Sequence, residues 1–394
     1  MRLVPLVSIA DIQLGKMLSP KSKTGTAAFP YLRNQNVQWG KVDLFDLATM
    51  DFSEMERKKF ELRAGDLLVC EGGEPGRCAI WAGQRTDCYY QKAIHRVRPH
   101  AGIADSEFLS LWIRHQTLIG VFRDQHAKTT IAHLPLGQIE QLLVPDISVG
   151  AQRRLAVQVR EKLAAVDEAW QAALVQLADA KRLIPAILES AFAETGDAEW
   201  LAISDVARTT SGTTPSRSRK DYWQPPKHPW VKTGEVAFNP IERTEEAISE
   251  RALAECSLSL LPPGTVLVAM YGQGKTRGQS AVLKVTATTN QACFAILPNE
   301  RIDPEYLQFW LRRSYAPLRA LSQARGGNQS NLNGEILNAF EIPLLSMDKQ
   351  KAIAGQIKLA LTEAEALQRS IEQQLSEIEL LPSRLLAQAF DGNY

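Results

Sequence analysis

A glycine-rich loop with several hydrogen-bonding side chains follows an apolar segment in the second half of the chain. The loop covers residues 271–278, and its Gln273, Lys275 and Arg277 can all donate hydrogen bonds. Such groups suit a phosphate backbone or a base edge, although an ordinary solvated hairpin would have a similar composition. A nucleotide-binding P-loop needs a glycine five residues before its Gly-Lys pair, where this chain has Ala269. The candidate nucleic-acid contacts in this loop are Tyr271, Gln273, Lys275 and Arg277.

Amide and cationic side chains recur at other loops and strand ends. An amide can form two hydrogen bonds to adenine, and arginine can form two to guanine. The segment 325–331 combines both types, with Asn333 close behind, and its counterpart in the first half is 128–133. The alternative is that these loop amides cap the helices that follow them. The further candidate contacts are Arg33, Asn34, Asn36, Arg77, Lys92, Lys128, Lys232, Arg325, Asn328, Gln329 and Asn331.

Two long stretches with the same apolar pattern are the elements that must position these loops. In residues 152–192 and again in 350–390, apolar residues recur at gaps of three and four, which predicts helices that pack along another helix. Each stretch has a proline near its end, Pro185 or Pro382, and finishes on Leu-x-x-Ala-Phe. Before the proline, each helix has roughly 34 residues and a length of about 50 Å. We expect an antiparallel coiled coil between the two; burial of both in one helical bundle is the alternative.

The segments that precede these helices predict two α/β domains with a shared core pattern. An apolar strand pattern at 65–69 recurs at 264–268, and a helical pattern at 108–114 recurs at 306–312. The polar loop residues differ between the copies, which suggests one fold with two different targets. The fold class is therefore α+β with internal-repeat, pseudo-two-fold symmetry. The predicted bounds are 1–150 for the first domain, 151–194 for the first helix, 195–348 for the second domain and 349–394 for the second helix.

Composition narrows the class of protein. The chain has 394 residues, enough for two or three domains with apolar cores. A net charge of +1 argues against nucleic-acid binding through bulk basicity but allows a local basic face. The five cysteines form no Cys-x-x-Cys pair, which indicates free thiols in a reducing cytoplasm. Since no stretch of about 18 apolar residues occurs, we expect a soluble cytoplasmic protein without a membrane partner.

Catalytic signatures are missing from the sequence. There is no Gly-x-Ser-x-Gly elbow, and the segment 239–242 fails the Asn-Pro-Pro-aromatic pattern of DNA methyltransferases. The six histidines are scattered without metal-ligand or triad spacing. We therefore predict that the chain is not an enzyme by itself and holds no metal.

These features together resemble the specificity (S) subunit of Type I restriction–modification systems. The resemblance covers essentially the whole chain: two variable domains, each followed by a long helix ending in Leu-x-x-Ala-Phe. The segments Gly-Asp-Leu-Leu-Val (65–69) and Tyr-Gly-Gln-Gly-Lys-Thr-Arg-Gly (271–278) are similar to recurring segments of that family's target-recognition domains.

The resemblance implies a DNA-recognition subunit without active-site chemistry. Each domain would recognise one half of a bipartite, asymmetric site in double-stranded DNA, and the helices would act as a ruler between the halves. Two modification (methyltransferase) subunits would dock and methylate adenine with S-adenosylmethionine. Restriction motor-nuclease subunits would use ATP and Mg, so this chain would bind no cofactor itself. Two alternatives remain, namely a coiled-coil scaffold without DNA recognition and the recognition part of a single-chain methyltransferase.

Overall fold

The described residues form two compact units. A computed structural model describes residues 2–22, 24–122, 133–193, 195–196, 198–272, 274–323 and 331–391. The first unit comprises Met1–Leu174 and Gln373–Tyr394, and the second comprises Val175–Glu372. Each unit contains one α/β domain and a part of both long helices.

The first domain is built from short strands around a buried central sheet. Its strands are β1 (Leu3–Pro5), β2 (Ala10–Leu14), β3 (Ala28–Leu32), β4 (Val37–Gln38), β5 (Lys41–Val42), β6 (Ala48–Asp51), β7 (Leu67–Cys70), β8 (Cys78–Ile80), β9 (Tyr89–Tyr90), β10 (Ile94–Pro99) and β11 (Leu143–Pro145). Its helices are α1 (Glu54–Lys59), α2 (Ser106–Leu118) and α3 (Leu136–Glu140), and the long helix α4 (Val149–Ala191) follows.

The second domain has a similar set of elements. Its strands are β12 (Glu199–Ala202), β13 (Thr209–Ser211), β14 (His228–Val231), β15 (Glu246–Ile248), β16 (Val266–Ala269), β17 (Ser280–Val282), β18 (Thr288–Thr289), β19 (Cys293–Ile296) and β20 (Glu341–Leu344). Its helices are α5 (Ile203–Val206), α6 (Glu250–Glu255), α7 (Pro304–Arg313), α8 (Tyr315–Gln323) and α9 (Gly334–Asn338), and the long helix α10 (Met347–Asp391) follows.

The two domains share one sheet topology. A four-stranded antiparallel sheet has the order β2-β10-β7-β8 in the first domain and β13-β19-β16-β17 in the second. A three-stranded sheet repeats as β6-β3-β9 and β15-β14-β18, each with one parallel pair. A two-stranded ladder joins the beginning and the end of each domain, β1 with β11 and β12 with β20. The internal repeat expected from the sequence is therefore a repeat of topology.

Burial on both faces explains why the central strands read as continuous apolar runs. In β7, Leu67 and Val69 pack toward α2 and the long helices, whereas Leu68 and Cys70 pack toward the three-stranded sheet. Strand β16 divides its side chains between two cores in the same alternating way. Since successive strand residues point to opposite faces, only a strand covered on both sides can be apolar at every position.

The long helices run antiparallel within each unit. In the first unit, Leu155 and Val159 near the start of α4 share a core with Leu386 near the end of α10. In the second unit, Leu188 near the end of α4 shares a core with Ile357 near the start of α10. The predicted antiparallel helix pair is thus confirmed, and both helices continue through their prolines. Leu367 departs from the predicted apolar stripe, because it is 46% exposed.

The repeated Leu-x-x-Ala-Phe ending attaches each long helix to a domain. Phe390 packs against Phe108 and Trp112 of α2, with ring centroids 5.8 and 5.1 Å away. Phe192 packs against Tyr306 and Trp310 of α7 at 5.3 and 5.2 Å. Aromatic pairs of this kind, three of them edge-on and the Phe192–Tyr306 pair tilted, add to the stabilisation from buried area. The end of one long helix therefore joins the same domain core as the start of the other.

Candidate nucleic-acid interface

The loop between β7 and β8 and the turn after β3 form one hydrogen-bonded surface in the first domain. Arg77 donates from Nη2 to the Asn34 carbonyl oxygen at 2.9 Å, and Cys70 Sγ lies 3.6 Å from the same oxygen. The Asn34 amide nitrogen lies 3.4 Å from the Gly72 carbonyl. A β-carbon on Gly73, where φ is +79°, would lie only 3.0 Å from that amide, so glycine permits the close approach. The structure thus brings together Asn34 and Arg77, two of the predicted contacts.

Two other predicted contacts in this turn make hydrogen bonds that hold the fold. Asn36 is 3% exposed; its amide nitrogen donates to the carbonyls of Asp43 and Asp46 at 3.1 and 3.0 Å. Arg33 forms an ion pair with the Asp46 carboxylate at 2.7 Å. Because both amide hydrogens of Asn36 are used, this side chain acts as a brace for the turn. Its contact with DNA stays a prediction.

Lys232 occupies the corresponding place at the start of the second domain's turn. Its ammonium group lies 2.6 Å from Glu245 and 3.1 Å from Glu246. Hydrogen bonds to these two carboxylates raise the pKa of Lys232 above its usual value. Like Arg33, it is a cation already matched by acidic neighbours, and a phosphate would have to compete with them.

The loop between β16 and β17 presents its side chains differently. Tyr271 is 39% exposed, and Lys275 is also exposed and has no side-chain partner among the described residues. Arg277 is half-buried, and its Nε makes no hydrogen bond within the part of the chain that the structure describes. Gln273 lies outside the described residues. This loop therefore offers an aromatic face and an unmatched cation, both of which suit nucleic acid.

Helix α8 holds this loop through the loop backbone. Tyr315 donates its hydroxyl to the Lys275 carbonyl at 2.6 Å, and Arg319 donates from Nη1 to the Arg277 carbonyl at 2.9 Å. Sequence reasoning missed both residues. Their spacing of four residues, which puts an aromatic and a cationic side chain on one helix face, was the available signal. Because they bind carbonyl groups, the loop keeps its own side chains available.

The remaining candidates fall at scattered positions. Lys92 is exposed and has no side-chain partner among the residues described, and Asn331 is partly buried. Asn333 caps α9 by accepting a hydrogen bond from the Ile336 amide at 2.9 Å, which confirms the capping alternative at that residue. Lys128, Arg325, Asn328 and Gln329 lie outside the described residues.

The described residues offer binding groups and contain no cluster of His, Cys, Asp or Glu that could hold a metal ion. The buried thiols are poor nucleophiles, because burial raises the pKa of Cys78 and Cys293 to about 12. No described helix is long and apolar enough to cross a membrane.

Comparison with known proteins shows what the chain is similar to. Residues 196–377 match the family model of the Type I restriction modification DNA specificity domain. The chain is 25% identical over 187 residues to the Type I restriction enzyme EcoR124I/EcoR124II specificity subunit of Escherichia coli, which covers 47% of this chain and 45% of that relative. The match thus spans less than half of the relative's length.

Two solved structures match the fold over the whole chain. A chain from a structure of the type I R-M system has a TM-score of 0.75 at 16% identity, covering 100% of this chain and 98% of that one. The HsdS subunit from Thermoanaerobacter tengcongensis has a TM-score of 0.68 at 18% identity, covering 100% and 97%. At these identities the likeness establishes the fold. Residues 196–377, which hold the second domain and much of the helix after it, are thus similar to the Type I restriction modification DNA specificity domain, and the whole chain has the fold of these two structures.

Proposed function

We propose that this chain is the non-catalytic DNA specificity subunit of a Type I restriction–modification complex, and that each α/β domain recognises one half of a bipartite, asymmetric site. The proposal rests on one observation: the two domains share one topology but present different loop surfaces. The first domain offers the Asn34 turn bound to Arg77, and the second offers exposed Tyr271 and Lys275. Because bases are distinguished by the hydrogen-bonding groups placed against them, different loops on one scaffold read different sequences.

Exposed apolar residues on the long helices support a role in docking partners. Within the second unit, Val175 of α4 is 62% exposed, and Leu359 and Leu367 of α10 are 65% and 46% exposed. Apolar side chains that the helix pair leaves uncovered are available for contact with a partner protein. We assign this surface to two methyltransferase subunits, which hold S-adenosylmethionine and methylate adenine. Restriction motor-nuclease subunits, with ATP and Mg, join the same complex in the cytoplasm.

A domain exchange tests this assignment. The chain is expressed with its methyltransferase partner, and the methylated sequences are mapped across the host genome. A second version carries residues 196–346 from a relative. We expect a bipartite methylated motif, of which only one half changes on exchange.

Three other results would contradict the proposal. A folded complex that methylates nothing would favour a coiled-coil scaffold without DNA recognition. A motif that appears without this chain would remove its specificity role. Binding of S-adenosylmethionine to the isolated chain would instead favour a single-chain methyltransferase.

A further inference from the structure

Phe238 has a backbone conformation that side chains rarely adopt. Its φ is +63°, in the left-handed region that favours glycine. The first domain has Gly40 at the equivalent position, with φ +69°. The equivalence follows from matching hydrogen bonds, because the Phe238 amide donates to the Ser280 carbonyl and the Gly40 amide donates to the Cys78 carbonyl, both at 3.0 Å. A phenylalanine in a conformation where glycine would be unstrained points to a role for its ring.

The ring of Phe238 packs against Tyr315 of α8, the helix that holds the β16–β17 loop. It meets the Tyr315 ring edge-on, with centroids 5.4 Å apart and planes at 78°. The guanidinium of Arg312 in α7 lies 5.2 Å from the centroid of the same Phe238 ring. Tyr315, held in this way, donates the 2.6 Å hydrogen bond to the Lys275 carbonyl. A continuous series of contacts thus runs from α7 through Phe238 to the loop that carries the exposed lysine.

The second loop needs this support more than the first. The first loop is closed by a hydrogen bond from the Gly76 amide to the Cys70 carbonyl, and the second by one from the Gly278 amide to the Ala269 carbonyl. The second loop is longer, because its two closing residues lie further apart in the sequence. A β-carbon on Gly76 would lie 2.2 Å from Thr117 Oγ1, so the first loop is wedged directly against its domain helix. A longer loop has more backbone freedom to lose, and added anchors reduce that freedom.

We propose that Phe238 and Tyr315 are positioning residues for recognition: they fix the backbone of residues 274–278 in the loop and thereby set the base preference of the second domain. This inference rests on the proposed function. Neither residue needs to touch DNA, since both act through the backbone carbonyl of Lys275. Loss of either would let the loop adopt several conformations, and a mobile loop discriminates less between bases.

The test compares two tyrosine-to-phenylalanine changes in the same domain. Tyr315→Phe removes the hydrogen bond to the loop and keeps the ring. Tyr306→Phe is the matched control, because it removes a buried hydrogen bond of 2.7 Å to the Pro343 carbonyl, which belongs to β20 and not to the loop. Phe238→Gly, which copies Gly40, is the second test variant.

Each variant is assembled with the methyltransferase partner, and binding is measured by competition between duplexes that carry single base changes in either half-site. The domain exchange identifies which half the second domain recognises. Tyr315→Phe should lower discrimination in that half by about five-fold, the factor expected for one net hydrogen bond. Phe238→Gly should lower discrimination in the same half, because Tyr315 loses the ring that it packs against. Discrimination in the other half should stay as in the wild type. Tyr306→Phe should lower thermal stability and leave discrimination unchanged in both halves.

Three results would overturn the inference: wild-type discrimination in Tyr315→Phe, equal loss in both halves, or the same loss in Tyr306→Phe. These results differ from a failure of the proposed function. In that case, the wild-type complex itself would show no preference between duplexes.

Discussion

Replacement of Gln350 by methionine should lower the free energy of unfolding by about 3 kcal/mol. Gln350 is fully buried near the start of α10. Its Oε1 accepts a hydrogen bond from the Asp303 amide at 2.8 Å, and its Nε2 donates to the carbonyls of Arg301 and Leu345 at 2.9 and 2.8 Å. Methionine has a similar length and volume but makes none of these bonds. Each lost hydrogen bond costs about 1 kcal/mol net, so three cost about 3 kcal/mol. The Asp303 amide is left without an acceptor, and this unsatisfied donor prevents the total cost from falling below that value.

The loss is measurable by thermal and urea unfolding followed by circular dichroism. For a folding unit of this size, about 3 kcal/mol corresponds to a fall in Tm of roughly 6–12 °C. The matched control is Gln356→Met on the same helix, where the glutamine is exposed and the change should stay within about 0.5 kcal/mol. A Gln350→Met protein within about 1 kcal/mol of wild type, or equal to the control, would refute the reasoning.

The repeat provides a second check on the same prediction. In the first unit, Gln152 is 2% exposed; it accepts from the Asp105 amide at 2.9 Å and donates to the carbonyls of Ile103 and Ile147 at 3.0 and 2.9 Å. Because the hydrogen bonds of Gln152 and Gln350 agree closely in type and length, Gln152→Met should lower the free energy of unfolding by a similar amount. A difference above about 1 kcal/mol would show that the glutamines do not carry the effect.

Three further experiments have expected outcomes. Lys275→Ala should weaken DNA binding through the second half-site and lower the slope of log affinity against log salt concentration by about 1, because one phosphate contact is lost; failed assembly with the methyltransferase, or equal loss at both half-sites, would contradict this. A thiol reagent at pH 8 should label Cys256 first in the folded chain, because the other cysteines are buried and burial raises the pKa of Cys70 to about 11; labelling that persists in Cys256→Ser would contradict it. Phe390→Ala should destabilise by about 3–5 kcal/mol, because it leaves a cavity between α10 and α2; a loss below about 1 kcal/mol in urea unfolding would show that the site collapses without cost.

The helices and the repeat were predictable because their signals are local and periodic. Gaps of three and four over some forty residues of each stretch leave helix as the consistent interpretation, and the observed α4 and α10 cover both stretches. The strand at Leu67–Cys70 was predictable for a similar reason, since an uninterrupted apolar run after a Gly-Asp turn indicates a buried strand. The exposure of Leu367 was not predictable, because the pattern does not say which apolar residues a partner covers.

The candidate site was less predictable because side-chain partners come from distant segments. Arg77 binds a carbonyl 43 residues earlier in the chain, and the amide of Asn36 binds carbonyls 7 and 10 residues later. Nothing in residue type separates such a brace from an amide that faces a base, since both need the same hydrogen-bonding groups. Tyr315 and Arg319 were missed for a related reason: their spacing places them on one helix face, but they bind backbone carbonyls, which are present at every position and do not show in the sequence which segment is bound.

Contacts to the backbone also explain how the two domains can differ so much on one scaffold. Gln152 and Gln350 bind only main-chain groups of the preceding domain, and one of the three contacted positions is Ile103 in one copy and Arg301 in the other. These glutamine-to-backbone hydrogen bonds require the fold of the domain but not its sequence. It follows that residues 196–346 can be exchanged for those of a relative while Gln350 remains in place and forms the same hydrogen bonds to the new backbone. Loop side chains are then free to vary with the DNA target, because the residues that join domain to helix place no demand on them.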